Sequence, residues 1–217
     1  TAWDYVMQGD GELEFLNLFN RDVDHVLAKK GKENLTTVGV QAPLRLPPEF
    51  LPFYYPKIED RLANKIVHYE SSRGCPYRCS YCVSSVEGNP QFKPIEQVFR
   101  ELDYFIEKEY KIVKFLDRSF NFPSSRAILI WQYLIQAAET LGIEIMPRFH
   151  FELESSLLDE ESVELLTHAP KDLFQFEIGI QSIHQRTLQL VNRKPLTTSQ
   201  IHSIQKLLAA GKQNIHL

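Results

Sequence analysis

The sequence predicts an α/β protein whose larger part is a partial (β/α) TIM-type barrel of about four to five βα units. Three observations predict it. Strand-like and helix-like segments alternate from Lys65 onward, a proline-rich stretch separates them from a short leading piece, and all three cysteines fall between residues 75 and 82. Alternating strands and helices at this spacing imply a parallel sheet with helices outside it. Right-handed crossovers then gather the loops after each strand on one rim. A closed eight-stranded barrel takes about 250 residues, so residues 66–217 correspond to roughly half of one.

The elements follow in order. "DYVMQGDGELEFLNLF" reads as a short strand, a glycine-containing turn and an amphipathic helix with Leu13, Leu16 and Phe19 on one face, before a second apolar cluster at Val23, Val26 and Leu27. "QAPLRLPPEFLPFYYP" carries five prolines. Proline fixes φ and removes a backbone donor, so this stretch is expected to be an extended connector, with its aromatic bulk lying against the next domain. Three domains are therefore expected: a remnant of an upstream domain at 1–35, a connector at 36–65 and the partial barrel at 66–217.

Within the barrel, "KIVHYES" is the first strand. A helix over 94–110 follows, with Ile95, Val98, Phe99, Leu102, Phe105 and Ile106 at helical spacing and Pro94 near its first turn. "KIVKFLD" is the second strand. "PSSRAILIWQYLIQAAETLG" is the second helix, with Ser124 expected as N-cap and Gly142 near its end. "IEIMPRFHFEL" is the third strand and "DEESVELLTHA" the third helix, capped by Asp159. "LFQFEIGIQS" is the fourth strand. A short helix near 184–191 and a longer one near 198–210 lead to "NIHL", the start of a fifth strand. The chain reads as though cut at both ends, and an open sheet edge is then expected to favour self-association.

Composition narrows the classes of function. The net charge is −4, and 43% of residues are hydrophobic and 24% charged. That is ordinary for a globular protein with a sizeable core and gives no reason to expect nucleic-acid or membrane partners. No apolar run approaches the roughly 20 residues that span a bilayer, and no signal peptide opens the chain. An odd, tightly spaced set of cysteines argues against a disulfide framework and for a reducing cytoplasm.

Cys75, Cys79 and Cys82 form C-x₃-C-x₂-C on the loop directly after the first strand, on the rim where such barrels build their active sites. Thiolates bind soft metals, and spacings this short let one loop wrap a single metal centre. Structural zinc wants four protein ligands, and no fourth is evident: His68 lies upstream and His150 is distant. An iron–sulfur cluster held by three cysteines leaves one iron open to an outside ligand. Both metals remain readings of the spacing alone.

The motif, with Tyr81 before its last cysteine, resembles the signature of the radical S-adenosylmethionine (SAM) superfamily. The resemblance implies a 4Fe-4S cluster on Cys75, Cys79 and Cys82, whose open iron is chelated by the methionine part of SAM. It implies reductive cleavage of SAM to a 5′-deoxyadenosyl radical, with potentials near about −400 mV within reach of thiolate-ligated clusters. An electron donor such as flavodoxin or ferredoxin is implied as a partner, beside SAM and a substrate that the sequence does not name.

Further residues carry the resemblance. In "KFLDRSFNF", Asp117 and Ser119 match the position where the family holds the SAM amino group, although the usual Gly-Gly-Glu is absent. In "FHFELES", Glu152 matches a ribose-binding glutamate, with Glu154 the alternate. Gln181 in "GIQS" and Arg193 in "LVNRK" match a pair facing SAM, the arginine gripping its carboxylate through a planar fork. "DYVMQGDGE" resembles the segment that closes a cobalamin-binding domain in one branch, so cobalamin is implied as a possible cofactor of the full-length protein. That branch favours methyl transfer among the reactions open to the family. The alternative is a non-catalytic scaffold whose cysteines hold zinc. Phe149, Phe151, Phe174 and Phe176 are expected in the core, and His150 and His184 in structural roles.

Overall fold

The computed structural model describes residues 6–7, 12, 26–27, 46–51, 53, 62, 64–86 and 88–217. The chain divides into two compact units, Thr1–Phe50 and Leu51–Leu217. In the first, β1 (Val6–Met7) pairs antiparallel with β2 (Val26–Leu27). The helix expected around Leu13, Leu16 and Phe19 lies outside the described residues, as does the "YYP" of the connector. Pro48–Phe50 forms one 3-10 turn.

The second unit is built on five parallel strands: β3 (Ile66–Tyr69), β6 (Ile112–Phe115), β7 (Arg148–Leu153), β8 (Phe174–Ile178) and β9 (Asn214–His216). They stand in sequence order, so each new strand adds to the same edge, the pattern of a barrel wall rather than a doubly wound sheet. The connections carry α1 (Ile95–Glu107), α2 (Ser124–Leu141), α3 (Glu160–His168), α4 (Gln185–Leu190) and α5 (Thr198–Ala210). A small antiparallel hairpin, β4 (Ser72–Arg73) with β5 (Gln91–Phe92), interrupts the first connection.

The strands alternate as period-two elements must. On one face Val67, Tyr69, Val113, Phe115, Phe149, Phe151, Phe174, Phe176 and Ile178 are buried in a single core. The four phenylalanines expected in the core are all there. Val98, Leu102, Phe105 and Ile106 of α1 and Ala127, Ile130, Trp131 and Leu134 of α2 close over that face. Phe53 reaches Tyr104 and Phe105 edge-on, with centroids 5.4 and 5.5 Å away. Each fully buried aliphatic or aromatic side chain contributes about 1.5–3 kcal/mol of transfer free energy.

The other face is polar. Register places His68, Lys114, His150 and Gln175 in one row, and Glu152 beside Glu177 in the next. That row is the wall on which the site is built.

Two local expectations differ from the structure. The third strand begins at Arg148, because Gly142 ends α2 at φ +93 and residues 143–146 form a turn, with Ile145 N–H bonded to the Gly142 carbonyl. Ser124 is the first helical residue of α2, not its cap. Pro123 occupies the cap without a side-chain bond. Asp159 does cap α3, accepting from Ser162 N–H at 2.8 Å.

Candidate cluster and cofactor site

The loop after β3 leaves the sheet through a narrow neck. Ser72 pairs with Phe92 and Arg73 with Gln91, Lys93 N–H bonds the Ser71 carbonyl at 2.9 Å, and Cys75 N–H bonds the Gly88 carbonyl at 3.3 Å. Gly74 turns the chain at φ +103, and a Cβ there would meet the Asn89 and Gly88 carbonyls at 3.1 and 3.2 Å. Only glycine adopts that conformation at so close an approach. Beyond the neck, Cys82 N–H bonds the Cys79 carbonyl and Ser85 N–H the Cys82 carbonyl, both at 3.1 Å, winding the cysteine segment into tight turns. Ser80 N–H to the Val191 carbonyl (3.1 Å) and Asn192 Nδ2 to the Arg78 carbonyl (2.8 Å) moor it to the end of α4.

All three cysteines are free thiols, Cys75 and Cys79 buried and Cys82 half-buried. They line one cavity of about 230 Å³ together with Tyr81, Ser119, Glu152, Gln181 and Arg193. Nine of the ten residues singled out for the cluster and cofactor, the alternate Glu154 among them, are thus brought together there. Asp117 is not. Its carboxylate is 2% exposed and faces away, accepting from Ser71 N at 3.0 Å and from the Ser71 and Ser72 hydroxyls at 2.6 Å each. Burial nonetheless pushes its carboxyl above the ordinary range, against those three bonds.

Each cavity side chain has a local reason for its place. Ser119 follows β6 in a tight turn, and its Oγ lies 3.7 Å from Cys75 Sγ. Glu152 sits on the polar side of β7, where burial first, and the adjacent Glu177 next, raise its carboxyl above the ordinary value. Lys114 holds both carboxylates loosely, at 3.8 and 3.9 Å. Gln181 lies just past β8 at φ +67, and a Cβ on Gly179 would come within 2.7 Å of its amide nitrogen. Gly179 therefore leaves room for the Gln181 amide where it stands, while Arg193 Nη2 would be at an ordinary 3.6 Å.

Arg193 is firmly held. Its Nη2 donates to Glu154 Oε2 at 2.7 Å and to the Gly179 carbonyl at 2.6 Å, while Nη1 approaches Cys79 Sγ at 3.8 Å. Desolvation opposes the guanidinium charge, but Glu154 and the Cys79 sulfur outweigh it and raise the arginine further. Burial also raises the phenols of Tyr77 and Tyr81 at the cavity edge.

Sequence reasoning missed several wall residues. Glu177 stands opposite Glu152 in register, and strict alternation along "FQFEI" places it on the same polar face. Asn121 is fully buried and anchors Glu154 by two backbone bonds, 2.9 Å to its carbonyl and 2.8 Å from its N–H. Nothing in "SFNF" signals that role. An open groove of about 830 Å³ adjoins the cavity, sharing Glu177, Gly179 and Gln181 and reaching His150. Burial, then Lys114, lowers His150 against the opposing pull of Glu177, so its imidazole is neutral near pH 7. Its Nε2 approaches Glu177 Oε2 at 3.5 Å without hydrogen-bond geometry. His184 is exposed, its Nδ1 3.2 Å from Thr187 Oγ1.

The donor set fits an iron–sulfur cluster. Three unpaired thiols converge on one cavity, with a guanidinium and a hydroxyl near two of their sulfurs, groups that stabilise thiolate charge. Among the described residues no three His, Cys, Asp or Glu side chains are gathered to hold a single metal ion, and no helix is long and apolar enough to cross a membrane.

The chain is similar to several known proteins. The chain is 26% identical over 125 residues to a tRNA-2-methylthio-N(6)-dimethylallyladenosine synthase of Sulfurihydrogenibium sp. (strain YO3AOP1), covering 56% of this chain and 28% of that protein. It is 26% identical over 143 residues to the ribosomal protein uS12 methylthiotransferase RimO of Caldicellulosiruptor saccharolyticus, covering 64% and 32%. The fold resembles the radical S-adenosylmethionine methyltransferase TsrM from Kitasatospora setae, solved with cobalamin and a [4Fe-4S] cluster bound, at a TM-score of 0.67 and 15% identity, over 98% of this chain and 46% of that one. It also resembles the cobalamin-dependent S-adenosylmethionine radical enzyme OxsB, at 0.70 and 17%, over 94% and 31%. The chain thus spans about a third of the length of these curated relatives or less. A family profile described as the radical SAM superfamily matches residues 69–217, the span that carries the cysteine loop and every wall of its cavity, and the chain belongs to that superfamily.

Proposed function

We propose that residues 66–217 form the cluster- and SAM-binding part of a radical SAM enzyme, with Cys75, Cys79 and Cys82 holding a 4Fe-4S cluster. The observation that carries this reading is the convergence of the three thiols with Ser119, Glu152, Gln181 and Arg193 on one cavity. Once bound, the cluster supplies the electron that cleaves SAM to a 5′-deoxyadenosyl radical. Arg193 offers its charge to the SAM carboxylate while Glu154 keeps the guanidinium in place. Glu152 accepts from the ribose hydroxyls, and Gln181 lines the same cavity as the cysteines. Tyr81 closes the edge beside Cys82.

Methyl transfer is the finer reading, supported by the methyltransferase TsrM among the similar folds, and methylthiolation is the rival that the curated relatives favour. Residues 1–35 are read as the end of a cobalamin-binding domain and residues 36–65 as a connector, with cobalamin a cofactor of the longer protein. An electron donor of the flavodoxin or ferredoxin kind is the expected redox partner.

Anaerobic reconstitution with iron and sulfide tests the core of this proposal. The expected product is a brown protein absorbing near 400 nm that yields 5′-deoxyadenosine from SAM under reductant. Replacing any one cysteine by alanine should abolish that yield, and Arg193→Ala should weaken SAM binding with the cluster retained. A colourless protein holding one tight zinc and leaving SAM intact would replace the proposal with the scaffold reading.

A further inference from the structure

The geometry points to Asp117 as a positioning residue that locks the neck of the cysteine loop, not as a contact to the cofactor. It stands two residues before Ser119, but its carboxylate bonds Ser71 and Ser72 and lines neither of the cavities described.

First, the carboxylate has three donors, and all come from the two residues at the neck. Oδ1 takes both serine hydroxyls at 2.6 Å and Oδ2 takes the Ser71 N–H at 3.0 Å. A carboxylate this buried is costly unless its lone pairs are filled. Filling them from Ser71 and Ser72 fixes the backbone three residues before Cys75. Second, the segment that bears Asp117 is itself fixed: Leu116 N–H bonds the Tyr69 carbonyl at 2.8 Å, and Phe120 N–H the Glu152 carbonyl at 2.9 Å. Asp117 therefore ties the neck to the segment after β6, which brings Ser119 to the cavity and is itself bonded to β7.

Third, the returning half of the neck is locked separately. Lys93 is 1% exposed and donates to Glu101 Oε2 at 2.8 Å, and the same oxygen accepts from Tyr69 at 2.6 Å. The Arg126 guanidinium lies over the Phe92 ring, 5.4 Å from its centroid. Its charge also attracts Asp117. Between these two anchors the sixteen residues 75–90 hang from a rigid base. The cysteines are thus pre-placed by a polar plate beneath them, which lowers the ordering cost of capturing a metal centre.

Thiol reactivity of the metal-free protein tests this, so the outcome does not depend on the cluster. If the wild type failed to take up iron, the proposed function would fall and this inference would stand. Asp117→Asn keeps the size and removes the charge and part of the acceptor capacity. Cys75 and Cys79, mapped by peptide analysis after reaction with 5,5′-dithiobis(2-nitrobenzoate), should react about tenfold faster than in the wild type, the effect of weakening a local closure by one charge-assisted hydrogen bond. Amide exchange in β8 should stay at the wild-type rate, which separates a loosened neck from a loosened protein. Thr140→Ala, at the exposed C-terminal end of α2, should leave both thiol rates unchanged. Should Asp117→Asn fail to reach the wild-type circular dichroism spectrum, Ser72→Ala removes a single bond and should give about a threefold acceleration. Unchanged thiol rates, above all with weakened SAM binding in Asp117→Asn, would overturn the inference and return Asp117 to the cofactor.

Discussion

Arg193 and Glu154 come from segments 39 residues apart and meet with Nη2 and Oε2 2.7 Å apart, both side chains at least four-fifths buried. The same nitrogen reaches the Gly179 carbonyl, so one guanidinium joins the ends of β7 and β8 to the Cys79 side of the loop. Breaking a partly buried pair of this kind leaves one charge without its partner. Glu154→Gln should therefore destabilise the protein by about 1.5–3 kcal/mol. Arg193→Ala should cost a similar amount, and the double variant clearly less than the sum of the two. Urea titrations of the four proteins decide it. Strict additivity would mean the contact contributes nothing.

Glu152 is held above its ordinary value of 4.5 by burial and by Glu177. A raised carboxylic acid binds its proton more tightly folded than unfolded. Its contribution to stability is then largest below pH 4.5 and is lost as pH rises through the higher folded value. Glu152→Gln should be more stable than the wild type at pH 7, with the difference closing below pH 4.5. The same variant should bind SAM about tenfold more weakly, the effect of one charge-assisted hydrogen bond. A stability difference independent of pH would show that Glu152 ionises as it does in the unfolded chain.

Asp159 caps α3 and behaves oppositely. Partial burial pulls its carboxyl up, but bonds from Ser162 and Ser124 outweigh that and hold it below its ordinary 3.8. Its contribution is present above pH 3.8 and lost as pH falls through the lower folded value. Asp159→Ala should cost about 1 kcal/mol at neutral pH, as loss of an N-cap does. Denaturant midpoints at pH 7 and pH 3 give the comparison, and an equal loss at pH 3 would contradict the ionic part of the cap.

Phe151 stands at the centre of the core, 4.2 Å from Phe120 and 4.6 Å from Phe115 between ring centroids, and within 6.3 Å of Trp131. Phe151→Ala should cost about 3–5 kcal/mol. Its two neighbours on β7, His150 and Glu152, carry the polar wall, so the same change should disturb the cavity. A loss under about 1 kcal/mol would mean that the surrounding rings collapse into the space.

The order of strands and helices, the aromatic core and the place of the cysteine loop were legible in the sequence. Each rests on local periodicity, and burial on one face of a sheet enforces that periodicity whatever the rest of the chain does. Strand β7 began late because a glycine cap and a turn preceded Pro147, punctuation that a continuous apolar run concealed. Glu177 was readable in principle, since alternation along "FQFEI" puts it on the face of Glu152.

The site divides along the same line. The sequence by itself determined which chemical groups the loops offer: three thiols at a spacing that one loop can present, and the polar residues at the ends of successive strands. Only the tertiary structure decided which of them share a space. It turned Asp117 away from the cavity toward Ser71 and Ser72, gave Arg193 to Glu154 and Gly179, and set Glu177 against Glu152. The physical reason is the same in each case. A buried charge goes to whichever partners the fold brings within about 3 Å, and those partners come from segments far apart in the chain.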